Sequence, residues 1–155
     1  MIDINEYLLS KSKSKLNIIK TTDETIQDIV LDELDRLGHD ADLNHIDVSE
    51  VTDMSDLFNC EDYLGSKYRD LNPDISHWDV SNVVNMSCMF YNCQKFNQDI
   101  TQWKVDKVKY TDNMFWNCKN FNQDLSDWNV RNVNIMYGMF WGCPIKEEFK
   151  PKFNI

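Results

Sequence analysis

Five cysteines and three histidines are the residues of this sequence best suited to chemistry. A cysteine becomes a nucleophile or a metal ligand when a nearby base or cation favours its thiolate. Zinc sites use closely spaced cysteine pairs with further cysteine or histidine partners, and only Cys88 and Cys93 come near that spacing. The odd number also argues against a disulfide framework. We therefore expect reduced, buried thiols that act as small hydrophobic side chains.

The histidines and the acidic residues suggest no catalytic or metal site. His39, His45 and His77 lie in no recognisable nucleophile motif, so we interpret them as surface or helix-end residues. Residues 23–61 are rich in acids but lack the calcium loop with its glycine and closing glutamate. The sequence thus predicts a protein that is not an enzyme, with no catalytic residue, no metal and no cofactor.

Charge and hydropathy narrow the classes of partner. The 155 residues carry 26 acidic and 16 basic side chains, a net charge of −10. Such a field repels phosphate backbones, so direct nucleic-acid binding is disfavoured. No stretch approaches the ~18 apolar residues of a membrane span, and the first residues lack the features of a secretory signal. A cytoplasmic protein is the resulting expectation.

An internal repeat of 25 residues dominates the rest of the sequence. Its blocks start at Val80, Val105 and Val130, and a diverged 32-residue copy starts at Val48. The columns in phase include Met89, Met114 and Met139; Phe90, Phe115 and Phe140; Cys93, Cys118 and Cys143; and Trp78, Trp103 and Trp128. A fixed period means one unit that buries its apolar side only against its neighbours. The extra residues, within 59–70, predict a loop projecting from one face.

The spacing predicts an α/β repeat solenoid, a leucine-rich-repeat-like stack of about four coils. Apolar spacings of three in V-x-x-V-x-x-M favour a short helical turn, and F-N-Q-D-I/L-x-x-W favours one brief strand per coil. Stacked coils would pair these strands into a narrow parallel sheet. The aligned asparagines and aspartates are expected to bond to backbone groups of their own or the next coil; they are Asn72, Asn97 and Asn122, with Asp74, Asp99 and Asp124.

An N-terminal helix is predicted over residues 23–37. Thr21 to Glu24 have the form of a capping box, apolar residues follow at helical spacing, and Gly38 is placed to end the helix. Its apolar face would cover the open edge of the first coil. We divide the chain into a leader with this capping helix, residues 1–45, and the repeat unit, residues 46–155, as one structural whole.

The phrases FNQDITQW and FNQDLSDW, each followed by V-x-x-V and M-F-x-x-C segments, resemble the BspA-like leucine-rich-repeat surface proteins. The resemblance covers about residues 46–143, and it implies proteins that bind host or matrix proteins and share no catalytic residues. Similar short cassettes occur in phages of gut bacteria, and the opening INEYLLSKSKSK looks like their leader segment. A phage-encoded copy would act in the host-cell cytoplasm, with a virion or surface location as the alternative.

A protein–protein recognition module is the function we predict, with a partner that is another protein. Binding residues in a repeat protein are the exposed ones that do not repeat, because the repeating ones are consumed by packing. The candidates are Tyr63, Lys67, Tyr68 and Arg69 in the insertion; His77, Asp79, Gln102, Lys104, Asp127 and Asn129 around the strands; Lys107 and Arg131 on the turns; and Tyr91, Trp116 and Trp141 after the Met-Phe pairs.

Two other functions stay open at this point. An acidic protein of this size can occupy the basic groove of a host nucleic-acid enzyme and inhibit it. A minor virion or host-attachment component is the further alternative.

Overall fold

The computed structural model describes residues 18–61 and 64–153, and regular secondary structure within them is sparse. The elements are β1 (Ile19–Lys20), α1 (Ile26–Leu37), β2 (Ile46–Asp47) and two 3₁₀ helices at Ser66–Tyr68 and Glu147–Phe149. Strands β1 and β2 form a two-stranded parallel sheet, with Ile19 opposite Ile46. The remaining residues form turns, bends and isolated bridges.

The predicted α/β repeat solenoid is therefore wrong. The described residues do not contain four coils that each hold a strand and a helical turn, because both strands lie before residue 48 and the one α-helix precedes the repeats. The described residues between 48 and 153 form turns of up to six residues, bends, isolated bridges and the two 3₁₀ helices. The 25-residue period of the sequence thus does not correspond to a leucine-rich-repeat coil.

Left-handed backbone angles explain the missing helical turns. Each apolar segment closes a turn, as where the Val83 N–H donates to the Val80 carbonyl at 2.9 Å. Residues with positive φ then follow, Cys88 at 56° and Asn92 at 61° in one repeat. A helix needs consecutive right-handed residues, so these positions end each turn before a helix can extend.

Side-chain amides explain the missing strands. The Asn97 N–H donates to Asn72 Oδ1 at 2.9 Å, and the Asn122 N–H donates to Asn97 Oδ1 at 3.0 Å. Gln98 Nε2 donates in turn to the Asn72 carbonyl at 2.8 Å. A side-chain acceptor here takes the place of a backbone carbonyl, so no continuous strand ladder forms. The predicted structural role of the aligned asparagines is confirmed.

The repeats nevertheless pack against one another in register. We call residues 48–79, 80–104, 105–129 and 130–153 blocks 1 to 4. Isolated parallel bridges join them at Asp53 and Asn85, Asn85 and Tyr110, and Tyr110 and Ile135. Successive bridge positions in blocks 2 to 4 are 25 residues apart, so the sequence period is the spacing at which neighbouring turns bond.

A column of phenylalanine rings runs through the core. Phe58, Phe90, Phe115 and Phe140 stack with neighbouring ring centroids 5.4 to 5.6 Å apart. The first three are buried, whereas Phe140 in block 4 is partly exposed. Offset stacks of this kind add to the free energy gained by burying the rings. Block 4 therefore carries the uncovered end of the column.

The repeated tryptophans also lie in the core, as predicted. Trp78, Trp103 and Trp128 are all buried. The indole N–H of Trp103 donates to the Ile75 carbonyl and that of Trp128 to the Ile100 carbonyl, both in the preceding block and both at 3.3 Å, and that of Trp78 donates to the Leu43 carbonyl at 3.0 Å. The indole thus brings apolar surface to the core while its polar N–H stays satisfied.

Helix α1 ends where the sequence predicts and begins three residues later. It stops at Leu37, and the N–H of Gly38, whose φ is 99°, donates to the Leu34 carbonyl at 2.9 Å. Its residues Val30 and Leu34 are buried in the same core as the blocks. Helix α1 thus covers the N-terminal side of the repeats.

The capping-box interpretation is wrong. Thr25 is the N-cap residue and its side chain makes no capping bond. Asp23 instead accepts hydrogen bonds from the N–H groups of Thr52 and Asp53 at 2.6 and 3.0 Å. The carboxylate therefore fastens the start of α1 to block 1.

Candidate functional site

The cysteine side chains lie in the core. Cys93 and Cys118 are fully buried, and the sulfur of Cys60 lies 2.9 Å from that of Cys93. Burial raises the pKa of the Cys93 and Cys118 thiols well above the ordinary value. Both thiols are thus protonated at neutral pH, a form that is a poor nucleophile and a poor metal ligand. Cys60 falls out of the repeat phase, so sequence reasoning did not place it beside Cys93.

Two histidines bind carboxylates. His45 Nε2 lies 2.8 Å from Glu33 Oε2, and both side chains are largely buried. The hydrogen bond from Arg36, followed by the one from His45, lowers the pKa of Glu33. His39 Nδ1 lies 2.5 Å from Asp70 Oδ1. These contacts tie α1 and the chain after it to the body of the protein.

Metal ligands are not grouped in the described residues. No set of three or more histidine, cysteine, aspartate or glutamate side chains there could hold a metal ion. The His77 ring has its Nδ1 3.4 Å from the Ser76 hydroxyl, and its backbone N–H donates to Asn44 Oδ1 at 2.8 Å.

The described part of the insertion in block 1, residues 59–61 and 64–70, folds back onto the body. Tyr68 is buried, with 1% of its surface exposed, and its hydroxyl donates to Asp35 on α1. Lys67 Nζ lies 4.4 Å from the centre of the Tyr68 ring and 3.6 Å from Asp35 Oδ1. Arg69 is bonded to Glu61 at 2.5 Å. The prediction that the insertion is a projecting loop is therefore wrong. Tyr68 offers no ring surface to a partner.

Tyr63, the remaining candidate of the insertion, lies outside the described residues.

The candidates around the predicted strands come together along one edge. Two shallow grooves, of about 440 and 320 Å³, adjoin there and share Gln102, Trp103 and Lys104 in their walls. The other candidates in these walls are His77, Asp79, Asp127 and Asn129. Polar side chains with open grooves between them suit the rim of an interface better than an enclosed substrate site.

The two turn candidates differ in their contacts. Lys107 Nζ donates to Asn82 Oδ1 of the preceding block at 2.7 Å, so its ammonium group bridges two blocks. Arg131 is exposed in block 4. Its guanidinium is the more available of the two to a partner.

The predicted aromatic candidates form a second ring column on the surface. Tyr91 and Trp116 stack with centroids 5.9 Å apart, and Trp116 and Trp141 stack at 5.4 Å. Tyr91 and Trp116 are half-buried, whereas Trp141 is 66% exposed. Trp141 is therefore the member of the column that presents a face to solvent.

Sequence reasoning missed two exposed apolar side chains in the same block as Trp141. Tyr137 is 78% exposed and Ile135 is 48% exposed. Tyr137 stands where the earlier blocks carry Ser87 and Asp112. The change from small polar residues to tyrosine was the signal that could have identified this position.

Glycines in block 4 hold the backbone course of the earlier blocks. Gly138 has φ 65°, as Asn113 has 54° one repeat earlier. A Cβ at Gly138 would lie 2.4 Å from Asn113 Oδ1 and 3.0 Å from the Trp116 ring. An added Cβ would force the Asn113 or Trp116 side chain to shift, because block 4 packs closely against block 3 at this point, and the left-handed φ also favours glycine.

These features define a repeat protein whose blocks bond in register, with α1 at one end and an exposed aromatic surface at the other. The family described as "Mycoplasma protein of unknown function, DUF285" matches residues 34–152, and the chain belongs to this family. No curated protein and no solved structure matches the chain. None of the described helices is long and apolar enough to cross a membrane.

Proposed function

We propose that this chain is a non-enzymatic protein–protein recognition module. The observation that carries the proposal is the exposed apolar group of block 4, formed by Trp141, Tyr137 and Ile135. Tryptophan and tyrosine dominate the energetics of protein interfaces because they bury a large area with few rotatable bonds. The repeated tryptophans of the core are buried, whereas these three side chains are exposed and can contact a partner.

The polar grooves between the blocks support the same function. Lys104 and Asp127 line them and are exposed, and Asn129 is partly exposed. Polar, solvent-accessible side chains of this kind form the rim of an interface.

The core chemistry supports a role without catalysis. The thiols of Cys93 and Cys118 are buried and protonated, and His39 and His45 are bound to carboxylates. A nucleophile needs an adjacent base and access to substrate. At one groove the Ser76 hydroxyl lies 3.4 Å from His77 Nδ1, but it donates to Asp74 Oδ1 at 2.7 Å, so its proton is directed to the carboxylate and not to the imidazole.

The sequence resemblance to BspA-like surface repeats supports binding to a protein partner. The phrases FNQDITQW and FNQDLSDW carry that resemblance. As part of this proposal, the chain is a short member of phage or gut-bacterium type that acts in the host-cell cytoplasm.

Partner capture with matched variants tests the proposal. The wild-type protein is immobilised and exposed to a lysate of the native host, beside a Tyr137→Ser/Trp141→Ser variant and an Ile18→Ser control. Ile18 is 72% exposed and lies in a different part of the chain. We expect a protein captured by the wild type and the control and lost by the double variant. Equal capture by the wild type, the double variant and the control would show that the aromatic surface is not the binding site.

A second candidate function, inhibition of a nucleic-acid enzyme, is favoured by the charge distribution. Residues 18–129 hold 22 acidic and nine basic residues, a net charge of −13. Such a body could compete with nucleic acid for a basic groove. Raising the salt from about 50 to 500 mM would then weaken partner binding steeply, whereas an interface built on Trp141 would keep most of its affinity.

A further inference from the structure

The outer edge of block 4 carries a row of backbone N–H groups without partners among the described residues. In block 3, the N–H groups at the same positions all donate to block 4 carbonyls at 2.7 to 2.8 Å. The donors are Thr111, Asn113, Phe115 and Asn117, and the acceptors are Ile135, Tyr137, Met139 and Trp141. Their counterparts in block 4 are Met136, Gly138, Phe140 and Gly142.

These four N–H groups leave the block on the same side. Each carbonyl of block 4 that bonds to block 3 is followed by one of the four N–H groups, and no described residue accepts a hydrogen bond from these N–H groups. Gly138 and Gly142 have φ of 65° and 68°, close to the 54° and 57° of Asn113 and Asn117. Successive N–H groups aligned in this way form a concave surface of positive potential that attracts anions and carbonyl oxygens.

A second copy of this chain does not supply the matching acceptors. In blocks 2 to 4 the corresponding carbonyls already accept hydrogen bonds from the preceding block. In block 1 the residues at the matching positions, Asp53, Ser55 and Leu57, line a cleft together with Ile26, so a second copy could not approach this side of block 1 without meeting the start of α1. Two block 4 edges facing each other would place donors against donors. An extended segment of another protein, by contrast, exposes carbonyls at regular intervals.

The local charge selects an acidic segment. Residues 130–153 hold four basic and two acidic residues, a net charge of +2, against −13 for residues 18–129. Lys119 adds to this end of the molecule, because its Nζ donates to the Gly142 carbonyl at 3.3 Å. The row of N–H groups, the basic side chains and the exposed Trp141 and Tyr137 rings thus lie on one end.

We propose that the block 4 edge binds a short, extended, acidic segment of a partner protein through main-chain hydrogen bonds. The partner's carbonyls accept from the four N–H groups, its apolar side chains contact Trp141 and Tyr137, and its carboxylates face the basic side chains. This inference rests on the proposed recognition function and names the mode of binding. The acidic body repels the rest of an acidic partner, so only a short segment is bound.

A displayed library of random seven-residue peptides is the probe. It is selected on the wild-type protein, on the Tyr137→Ser/Trp141→Ser variant and on the Ile18→Ser control. We expect acidic peptides with alternating apolar residues to be enriched on the wild type and the control. Their affinity for the double variant should fall at least about tenfold. Circular dichroism checks that each variant is folded.

Amide hydrogen exchange locates the bound peptide. A synthetic peptide of the most enriched sequence should slow exchange at Met136, Gly138, Phe140 and Gly142 and leave the amides of α1 unchanged. Failure to enrich any peptide, enrichment of neutral or basic peptides, or protection elsewhere would overturn the edge proposal. Concentration-dependent dimers that protect these amides would assign the edge to a second copy and overturn it too. Lysate capture that still depends on Trp141 would leave the recognition function standing.

Discussion

Trp141 stacks on Trp116 with ring centroids 5.4 Å apart and an angle of 17° between the ring planes. The two residues are 25 positions apart in the sequence, and the stack transmits the register of block 3 to block 4. Trp116 is covered by its neighbour, whereas Trp141 has its outer face in solvent. One repeated position therefore serves packing in the inner blocks and is available for binding in block 4.

Close packing at Gly138 predicts a loss of stability on adding one methyl group. Gly138→Ala places a Cβ 2.4 Å from Asn113 Oδ1 at a φ of 65°. We expect the free energy of unfolding to fall by about 2–4 kcal/mol, from left-handed strain and overpacking together. Denaturant unfolding measures the change.

Gly142→Ala is the matched control for this variant. It has a similar φ of 68°, but its nearest atoms would be 3.4 Å away. Its cost should be about 1 kcal/mol, from the backbone alone. Equal losses for the two alanine variants would show that block 4 does not pack against Asn113 as described.

The buried Asn92 predicts separable effects of its side chain and its backbone. Its Oδ1 accepts from Asn117 Nδ2 at 2.5 Å, its Nδ2 donates to Glu61, and its φ is 61°. Asn92→Ala should cost about 2–3 kcal/mol because it removes both bonds and puts alanine in a left-handed conformation. Asn92→Gly should cost about 1 kcal/mol less. A glycine variant less stable than the alanine variant would contradict the left-handed conformation.

The aspartates at the repeated turns predict acid sensitivity. Hydrogen bonds from the backbone and side chain of Ser76 lower the pKa of Asp74, and those from Thr101 lower the pKa of Asp99. A lowered folded-state pKa stabilises the fold above the unfolded pKa, near 3.9, and this stability is lost as the pH falls through the folded pKa. The free energy of unfolding should therefore decrease below about pH 4.

Asp99→Asn tests this cause. Asparagine can still accept from the Thr101 N–H but does not titrate in this range, so the acid-induced loss should be smaller than in the wild type. Urea unfolding at about pH 7, 4 and 3 measures it. An unchanged pH profile in this variant would exclude Asp99 as a contributor.

Thiol burial predicts unequal labelling of the cysteines. Cys60, Cys93 and Cys118 are buried, whereas Cys88 and Cys143 are partly exposed. A thiol-specific reagent should modify Cys88 and Cys143 in the folded protein, because the buried thiols lack access and burial favours the protonated form of Cys93 and Cys118. All five should react after unfolding. Peptide mapping by mass spectrometry measures the order in which the cysteines are labelled. Early labelling of Cys93 would show that this thiol does not lie in the core.

The period, the tryptophan core and the polar role of Asn72 and Asn97 could be predicted from the sequence, because each repeats at one phase. The α/β class could not, since it depends on φ at Cys88 and Asn92, and neither residue type requires a left-handed angle. The burial of Tyr68 could not be predicted either. Its hydroxyl contacts Asp35, which lies 33 residues earlier, and no local sequence pattern indicates such a contact. The exposure of Trp141 follows from its place in block 4, since the residues at the same position in blocks 2 and 3, Tyr91 and Trp116, are half-buried.

Amide hydrogen exchange of the free protein tests most directly whether block 4 presents an open edge. The comparison uses four pairs of amides 25 residues apart, namely Thr111 and Met136, Asn113 and Gly138, Phe115 and Phe140, and Asn117 and Gly142. The block 3 amides donate to block 4 carbonyls, so they should be strongly protected, and the block 4 amides should exchange at nearly the rate of an unstructured chain. Equal protection within the four pairs would show that the edge is covered in the free protein and would contradict the account.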